Sequence, residues 1–148
     1  VGDGIQEKVV RDKAIRYNCL GNNLFMINQL PKSEMPGLFN MSTISTSLFI
    51  PLKEMEANSA NKFFDTLAAG KPIIINYGGW QKDLIEQYNI GLVLDRDPKV
   101  AAKALNDLLL NNELLRIMGK NALELAKSKF SRDELAEKLI NVLESVGS

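Results

Sequence analysis

Hydrophobic positions in this chain switch repeatedly between short solid runs and helical spacing. Pro72 to Ile75 is an unbroken apolar run, the pattern of a strand buried on both faces. Just before it, Phe63, Phe64, Leu67 and Ala68 recur at helical spacing, Ser59 stands where an N-cap would, and Gly70 and Pro72 supply the stop. The alternation extends in both directions. A helix is expected from about Ile5 to Tyr17, a short strand at Leu24 to Ile27, a short helix from Ser33 to Met41 capped by Ser33, and a strand at Ile44 to Ile50. After the Ser59 helix and a strand at Ile73 to Asn76 come a helix from about Gln81 to Tyr88 and a strand at Gly91 to Leu94. Strands alternating with helices imply right-handed β-α-β units, hence an α/β fold with a Rossmann-like parallel sheet flanked by helices.

The last third reads as wholly helical. Asp97-Pro98 offers an N-cap with proline at N1, and Val100, Ala104, Leu105, Leu108 and Leu109 form a stripe behind it. A second helix runs from about Asn112 to Lys127 and tolerates Gly119. A third opens on the capping box Ser131-Arg132-Asp133-Glu134 and would carry Leu135, Leu139, Ile140, Val142 and Leu143 inward. No heptad persists, so these stripes read as core faces rather than a coiled-coil seam. Val1-Gly2-Asp3-Gly4 has the pattern of a strand end running into a tight turn, where a domain rarely starts. The expectation is therefore one domain over residues 1–148, cut from a longer polypeptide, with at least one strand upstream.

Composition removes several classes of function. Eighteen basic and eighteen acidic residues cancel in a chain of 148, which argues against nucleic acid as a partner because no excess positive field would steer a polyanion. Histidine is absent, so Ser-His-Asp and Cys-His machinery within the chain and the usual zinc ligand are excluded. Cys19 is the single cysteine, which forbids an intrachain disulfide or a cysteine metal cluster, reads as a small core residue, and points to a reducing cytoplasm. No apolar run reaches the ~20 residues of a membrane span, and no signal peptide is discernible.

The stretch from Asn58 to Ile75 carries the candidate chemistry. In an open α/β sheet, ligands sit outside the carboxyl ends of strands, where helix N-termini offer unpaired N–H groups and a partial positive charge of roughly +0.5. Asn61, Lys62 and Asp65 fall at i, i+1 and i+4, close to one face of such a helix start, an arrangement suited to a phosphorylated ligand. The competing reading is a capped surface helix with a Lys62 to Asp65 ion pair worth only ~0.3 kcal/mol. Gly78 and Gly79 read either as a turn needing positive φ or as ligand contacts, and Trp80 as a hydrophobic anchor or a sugar-stacking ring.

The order Val1-Gly2-Asp3-Gly4, Leu20-Gly21-Asn22-Asn23-Leu24-Phe25, Leu30-Pro31-Lys32-Ser33-Glu34-Met35-Pro36-Gly37-Leu38-Phe39, Phe63-Phe64-Asp65-Thr66-Leu67-Ala68-Ala69-Gly70-Lys71-Pro72 and Gly78-Gly79 resembles the C-terminal domain of the family-four retaining glycosyltransferases. The resemblance implies half of a GT-B fold, in which two Rossmann-like domains face a cleft and the C-terminal one binds the nucleotide-sugar donor. In that family a Glu, seven residues and a second Glu mark the site. The second, which contacts the ribose hydroxyls, matches Asp65; the first, near the reacting sugar carbon, would fall on Ala57, so the spacing is broken and Glu56, with Glu54 as the alternative, is the nearest replacement. The competing reading of both is as solvated loop charges.

The Asn58-Ser59-Ala60-Asn61-Lys62 loop is similar to a branch acting in bacterial capsule, O-antigen and exopolysaccharide assembly. By that similarity the backbone N–H groups after Asn58, with Lys62, would take the diphosphate, the loop from Leu30 to Glu34 would face the base, and Gly4, Gly78 and Gly79 would border the donor. The resemblance implies no cofactor and no metal, an acceptor-binding N-terminal domain as partner, and a saccharide or a lipid-linked acceptor at the inner membrane face. Two rivals stand beside it: a non-catalytic nucleotide-binding module, and a degenerate transferase kept for partner contact. A dinucleotide fingerprint fails because Gly2 and Gly4 are followed by Glu7 rather than glycine, and no early acidic pair marks a phospho-receiver.

Overall fold

The computed structural model describes residues 1–2 and 4–146; Asp3, in the opening Gly-Asp-Gly motif, lies outside the described residues. The chain divides into two compact units, Val1–Leu38 and Phe39–Ser148.

The first unit holds helix α1 (Glu7–Arg16), two residues shorter at its start than the apolar pattern suggests, and closed by Asn18 in the left-handed region. The carbonyl of Cys19 then accepts from the N–H groups of Asn22, Asn23 and Leu24, which makes a tight turn. The expected strand at Leu24 to Ile27 does not form. Among the described residues its pairing is limited to an isolated Leu20–Leu24 bridge and one hydrogen bond from Gly2 N–H to the Ile27 carbonyl, and without a ladder an apolar tetrapeptide is simply extended chain. Cys19 is half-buried rather than a core residue, its thiol 3.4 Å from the Tyr17 carbonyl. Ser33 caps nothing: it sits inside a 3-10 turn (Lys32–Glu34) whose N-cap is Pro31, and α2 (Met35–Met41) follows directly.

The second unit is built on a parallel sheet of β1 (Ser45–Ser47), β2 (Ile73–Ile75) and β3 (Gly91–Val93), in that spatial order. β2 is central and all three of its residues are fully buried. Because side chains alternate along a strand, Ile73 and Ile75 enter one core with Phe63, Leu67, Ile85, Ile90, Ala122 and Leu125, while Ile74 enters another with Leu108, Leu115 and Met118. Helices α3 (Asn61–Ala68) and α4 (Trp80–Tyr88) supply crossovers, and α5 (Pro98–Leu109) and α6 (Asn112–Lys129) close the two faces. Asp97 caps α5 as its sequence implies, accepting from Lys99 N–H at 2.7 Å.

Helix α7 (Arg132–Val146) departs from expectation. The Ser131 carbonyl accepts from Leu135 N–H at 3.0 Å, as an N-cap residue's does, yet no residue of the helix is buried. Leu135, Leu139, Ile140, Val142 and Leu143 are each between 46% and 63% exposed. The stripe exists, but among the described residues nothing covers it. Among the described residues no helix is long and apolar enough to cross a membrane.

Candidate functional site

At the carboxyl ends of β1 and β2 the sheet is continued by a side chain. Phe49 N–H donates to Asn76 Oδ1 and Asn76 Nδ2 donates to the Phe49 carbonyl, both at 2.9 Å, so the carboxamide imitates one more rung of the ladder. Beyond it a 3-10 turn (Lys53–Ala57) leads to Asn58, which organises the next loop. Asn58 Nδ2 donates to the Met55 carbonyl, and its Oδ1 accepts from Ala60 N–H at 3.2 Å. Its own carbonyl accepts from Trp80 Nε1–H at 3.1 Å and from Gln81 Nε2 at 3.3 Å.

This arrangement moves the start of α3. The N-cap is Ala60, with no side-chain cap, and Ser59 is exposed; Asn58 supplies the acceptor that the sequence assigns to Ser59. Two residues into α3, Asn61 and Lys62 have N–H groups with no intrahelical partner, as at any helix start. Lys62 does not pair with Asp65. Its ammonium lies 5.4 Å from the centre of the Phe49 ring, a cation–π contact. Asp65 is exposed, and among the described residues no cation pairs with it. It lines an open groove of about 480 Å³ with Phe64, Leu123, Lys127 and Phe130.

Glu56 and Glu54 separate clearly. Glu54 is exposed in the 3-10 turn, whereas Glu56 is half-buried against the Gly78-Gly79 turn. A Cβ on Gly78 would stand 3.4 Å from the Glu56 carboxylate, and one on Gly79 would stand 2.2 Å from the Glu56 carbonyl oxygen. Gly79 also has φ +83°, so this is a turn that only glycine fits, and its closeness to Glu56 is its second requirement. Trp80 is an anchor: partly buried, with its ring stacked on Phe64 at 6.0 Å and its N–H on Asn58.

Of the candidates, then, Glu56, Asn58, Gly78 and Gly79 converge on one turn, with Ser59, Ala60, Asn61 and Lys62 leading out of it into α3. Gly4 and Leu30 belong to the first unit, where the exposed Gly4 accepts from Glu7 N–H at 2.9 Å and Leu30 is half-buried. Residues that sequence reasoning missed are Phe49, Asn76, Tyr77 and Gln81. A glutamine four residues before the buried Ile85 on the same helix face was the available signal.

Contrary to the expectation that the chain has no Asp-x-Asp, one occurs at Asp95-Arg96-Asp97. Asp95 Oδ1 accepts from Asp97 N–H at 2.7 Å and Asp97 caps α5, so both carboxylates are engaged by local backbone. Among the described residues no three His, Cys, Asp or Glu side chains gather in a group that could hold a metal.

Residues 1–125 match the family model of the glycosyl transferases group 1, and the chain belongs to that family. It is 28% identical over 125 residues to spore coat protein SA of Bacillus subtilis (strain 168), covering 83% of this chain and 32% of that protein. It is also 28% identical over 139 residues to the putative glycosyltransferase YtcC of the same organism, covering 93% of this chain and 32% of the relative. The chain thus spans about a third of the length of these relatives. The fold is consistent with half of a GT-B enzyme.

Proposed function

We propose that the chain is the donor-binding domain of a retaining glycosyltransferase that moves a sugar from a nucleotide-sugar to a saccharide or lipid-linked acceptor, in the assembly of a bacterial surface polysaccharide. The observation that carries this reading is the packing of Glu56 on the Gly78-Gly79 turn beside the open N-terminus of α3. The turn brings a carboxylate to the edge where a donor sugar would lie, and the helix start offers N–H groups and Lys62 to a diphosphate. Asp65, exposed and without an ion-pair partner among the described residues, is available to accept two ribose hydroxyls.

In this mechanism the chain's own groups supply electrostatic stabilisation to the departing nucleoside diphosphate, with no metal required. The acceptor attacks the face from which the diphosphate leaves, and the departing phosphate takes the acceptor's proton. Glu56 sits against the reacting sugar and Asp65 holds the nucleoside. Transfer needs an N-terminal acceptor domain, so the chain alone binds donor without turning it over; the setting is cytoplasmic, peripheral at the inner membrane face where the acceptor is lipid-linked. A thermal-shift and calorimetric screen against UDP, GDP, ADP and their sugars tests the reading. Stabilisation by one nucleotide series supports it, and no response to any of them would overturn it.

A second reading, a transferase relative kept for partner contact, is favoured by Ala57 standing where the family's first carboxylate is expected. Loss of binding on Asp65→Asn but not on Glu56→Gln, together with absent transfer in the intact protein, would favour that alternative.

A further inference from the structure

Gln81 is completely buried, on the first turn of α4, where a core position would ordinarily hold an aliphatic side chain. Both ends of its amide are used. Oε1 accepts from the Tyr77 hydroxyl, and Nε2 donates to the Asn58 carbonyl at 3.3 Å. The Tyr77 hydroxyl is itself bonded to Ser47 Oγ at 3.2 Å, and Ser47 is completely buried at the end of β1. A chain of buried polar groups therefore runs from β1, through the residue two places after β2, to the start of α4, and ends on one main-chain oxygen. Trp80 Nε1–H, at 3.1 Å, is a second donor to that oxygen.

Fixing a carbonyl with two donors has a geometric consequence one atom further along. No peptide bond in the described chain is cis, so the Ser59 N–H points opposite to the Asn58 carbonyl. With that oxygen held toward α4, the Ser59 N–H is held away from it, and among the described residues it meets no acceptor. The Asn58 carbonyl can only accept, so it takes Nε2, and Oε1 is left facing the Tyr77 hydroxyl, which donates to it and holds the amide at that end.

We infer that Gln81, held at its oxygen end by Tyr77 and through it Ser47, is a positioning residue that presets the Asn58–Ser59 peptide so that the Ser59 N–H is presented as a fixed donor to an anionic ligand. The inference rests on the donor-binding reading for the identity of that anion, a nucleoside diphosphate, but not for the orientation of the peptide. It differs from a core role in a measurable way. A residue that only fills space changes stability across the whole sheet, whereas one that sets this peptide changes the loop first.

The experiment compares wild type with Gln81→Leu, which keeps the volume and deletes both polar ends, and with Tyr77→Phe, which leaves the amide but removes the hydroxyl that holds its Oε1. Amide hydrogen exchange is followed by NMR in the absence of ligand at Ala60 and Phe63, whose bonds to Asn58 Oδ1 and the Ala60 carbonyl last only while the loop keeps its shape. Affinity is then measured by calorimetry for whichever of UDP, GDP and ADP wild type binds. Exchange at Ala60 and Phe63 should rise about tenfold in Gln81→Leu, with β2 amides unchanged, and affinity should fall about five- to tenfold, as expected for one or two lost hydrogen bonds. Unchanged loop exchange, a uniform rise through β2 and α4, or faster loop exchange with unaltered affinity would overturn the inference. If wild type binds none of the three nucleotides, the donor reading fails, while loop exchange still decides whether Gln81 sets the peptide. Should Gln81→Leu not fold, Tyr77→Phe decides by the same exchange measurement.

Discussion

Two adjacent glycines, Gly78 and Gly79, meet different demands. Gly79 adopts φ +83° with ψ −168°, a region that is essentially restricted to glycine and costs any other residue roughly 1–3 kcal/mol. Its Cβ would in addition overlap the Glu56 carbonyl oxygen at 2.2 Å, so the 3-10 turn would have to move as well. Gly79→Ala should therefore lower stability by at least ~2 kcal/mol in a denaturant titration. Gly78 carries neither constraint, since the nearest atom to its Cβ is the Glu56 carboxylate at 3.4 Å. Gly78→Ala should fold within ~0.5 kcal/mol of wild type and act only on the side chain it nudges, which makes it a probe of Glu56 in a transfer assay on the protein joined to its acceptor domain. Asp65 presents the complementary case of a side chain with nothing structural to do. Exposed and, among the described residues, without an ion pair, it should leave the melting curve unmoved when changed to Asn, while nucleotide affinity weakens by ~1–2 kcal/mol if it holds the ribose. Equal affinity in the two proteins would return it to the status of a surface charge.

Among the elements, α3 and α6 show why a glycine sits in the middle of an 18-residue helix. By propensity alone, Gly119→Ala would gain about 1 kcal/mol, because glycine is a poor residue in a helix interior. Packing reverses the sign: a Cβ at Gly119 would approach the Gly70 carbonyl oxygen to 2.5 Å, and Gly70 is the left-handed residue that ends α3, with φ +64°. Backbone at such a stop has little room to retreat, and overpacking typically costs 1–3 kcal/mol. We expect Gly119→Ala to be net destabilising by about 1 kcal/mol in chemical denaturation, and a stabilised variant would mean that the helix can slide outward. The sequence shows that position only as a tolerated glycine, since the contact joins residues 49 positions apart. The α7 stripe makes the opposite point. Its spacing is properly amphipathic, but periodicity reports that a face is apolar and not what lies against it.

Across the whole molecule, what was legible follows the range of the interactions. Alternation of strand and helix, the solid Ile73–Ile75 run and the Asp97-Pro98 cap are set by neighbours within a few residues, and the structure keeps them. The strand at Leu24 to Ile27 and the Ser59 cap failed because each depends on a partner that local pattern does not reveal: an adjacent strand in one case, the Asn58 carboxamide in the other. The Asn58–Gln81 and Ser47–Tyr77 bonds span 23 and 30 positions, so the site's scaffold could not be read from spacing, although the residues around it were. Net charge is also a whole-molecule property, and it bears on how a diphosphate would arrive. With formal charge +0, no long-range field gathers anions, so on the proposed reading capture would rest on one helix start, Lys62 and the N–H of Ser59. Contacts of that number support a dissociation constant of about 0.1–1 mM for the chain alone, equivalent to roughly −4 to −5.5 kcal/mol. Because the donors are backbone groups and a lysine, affinity should be the same in EDTA and in magnesium. It should weaken only a few-fold between 50 and 500 mM salt, as for a short-range contact rather than a steered one. Calorimetry across those four conditions checks both halves, and binding that appears only with magnesium would show that a cation, not the α3 terminus, holds the diphosphate.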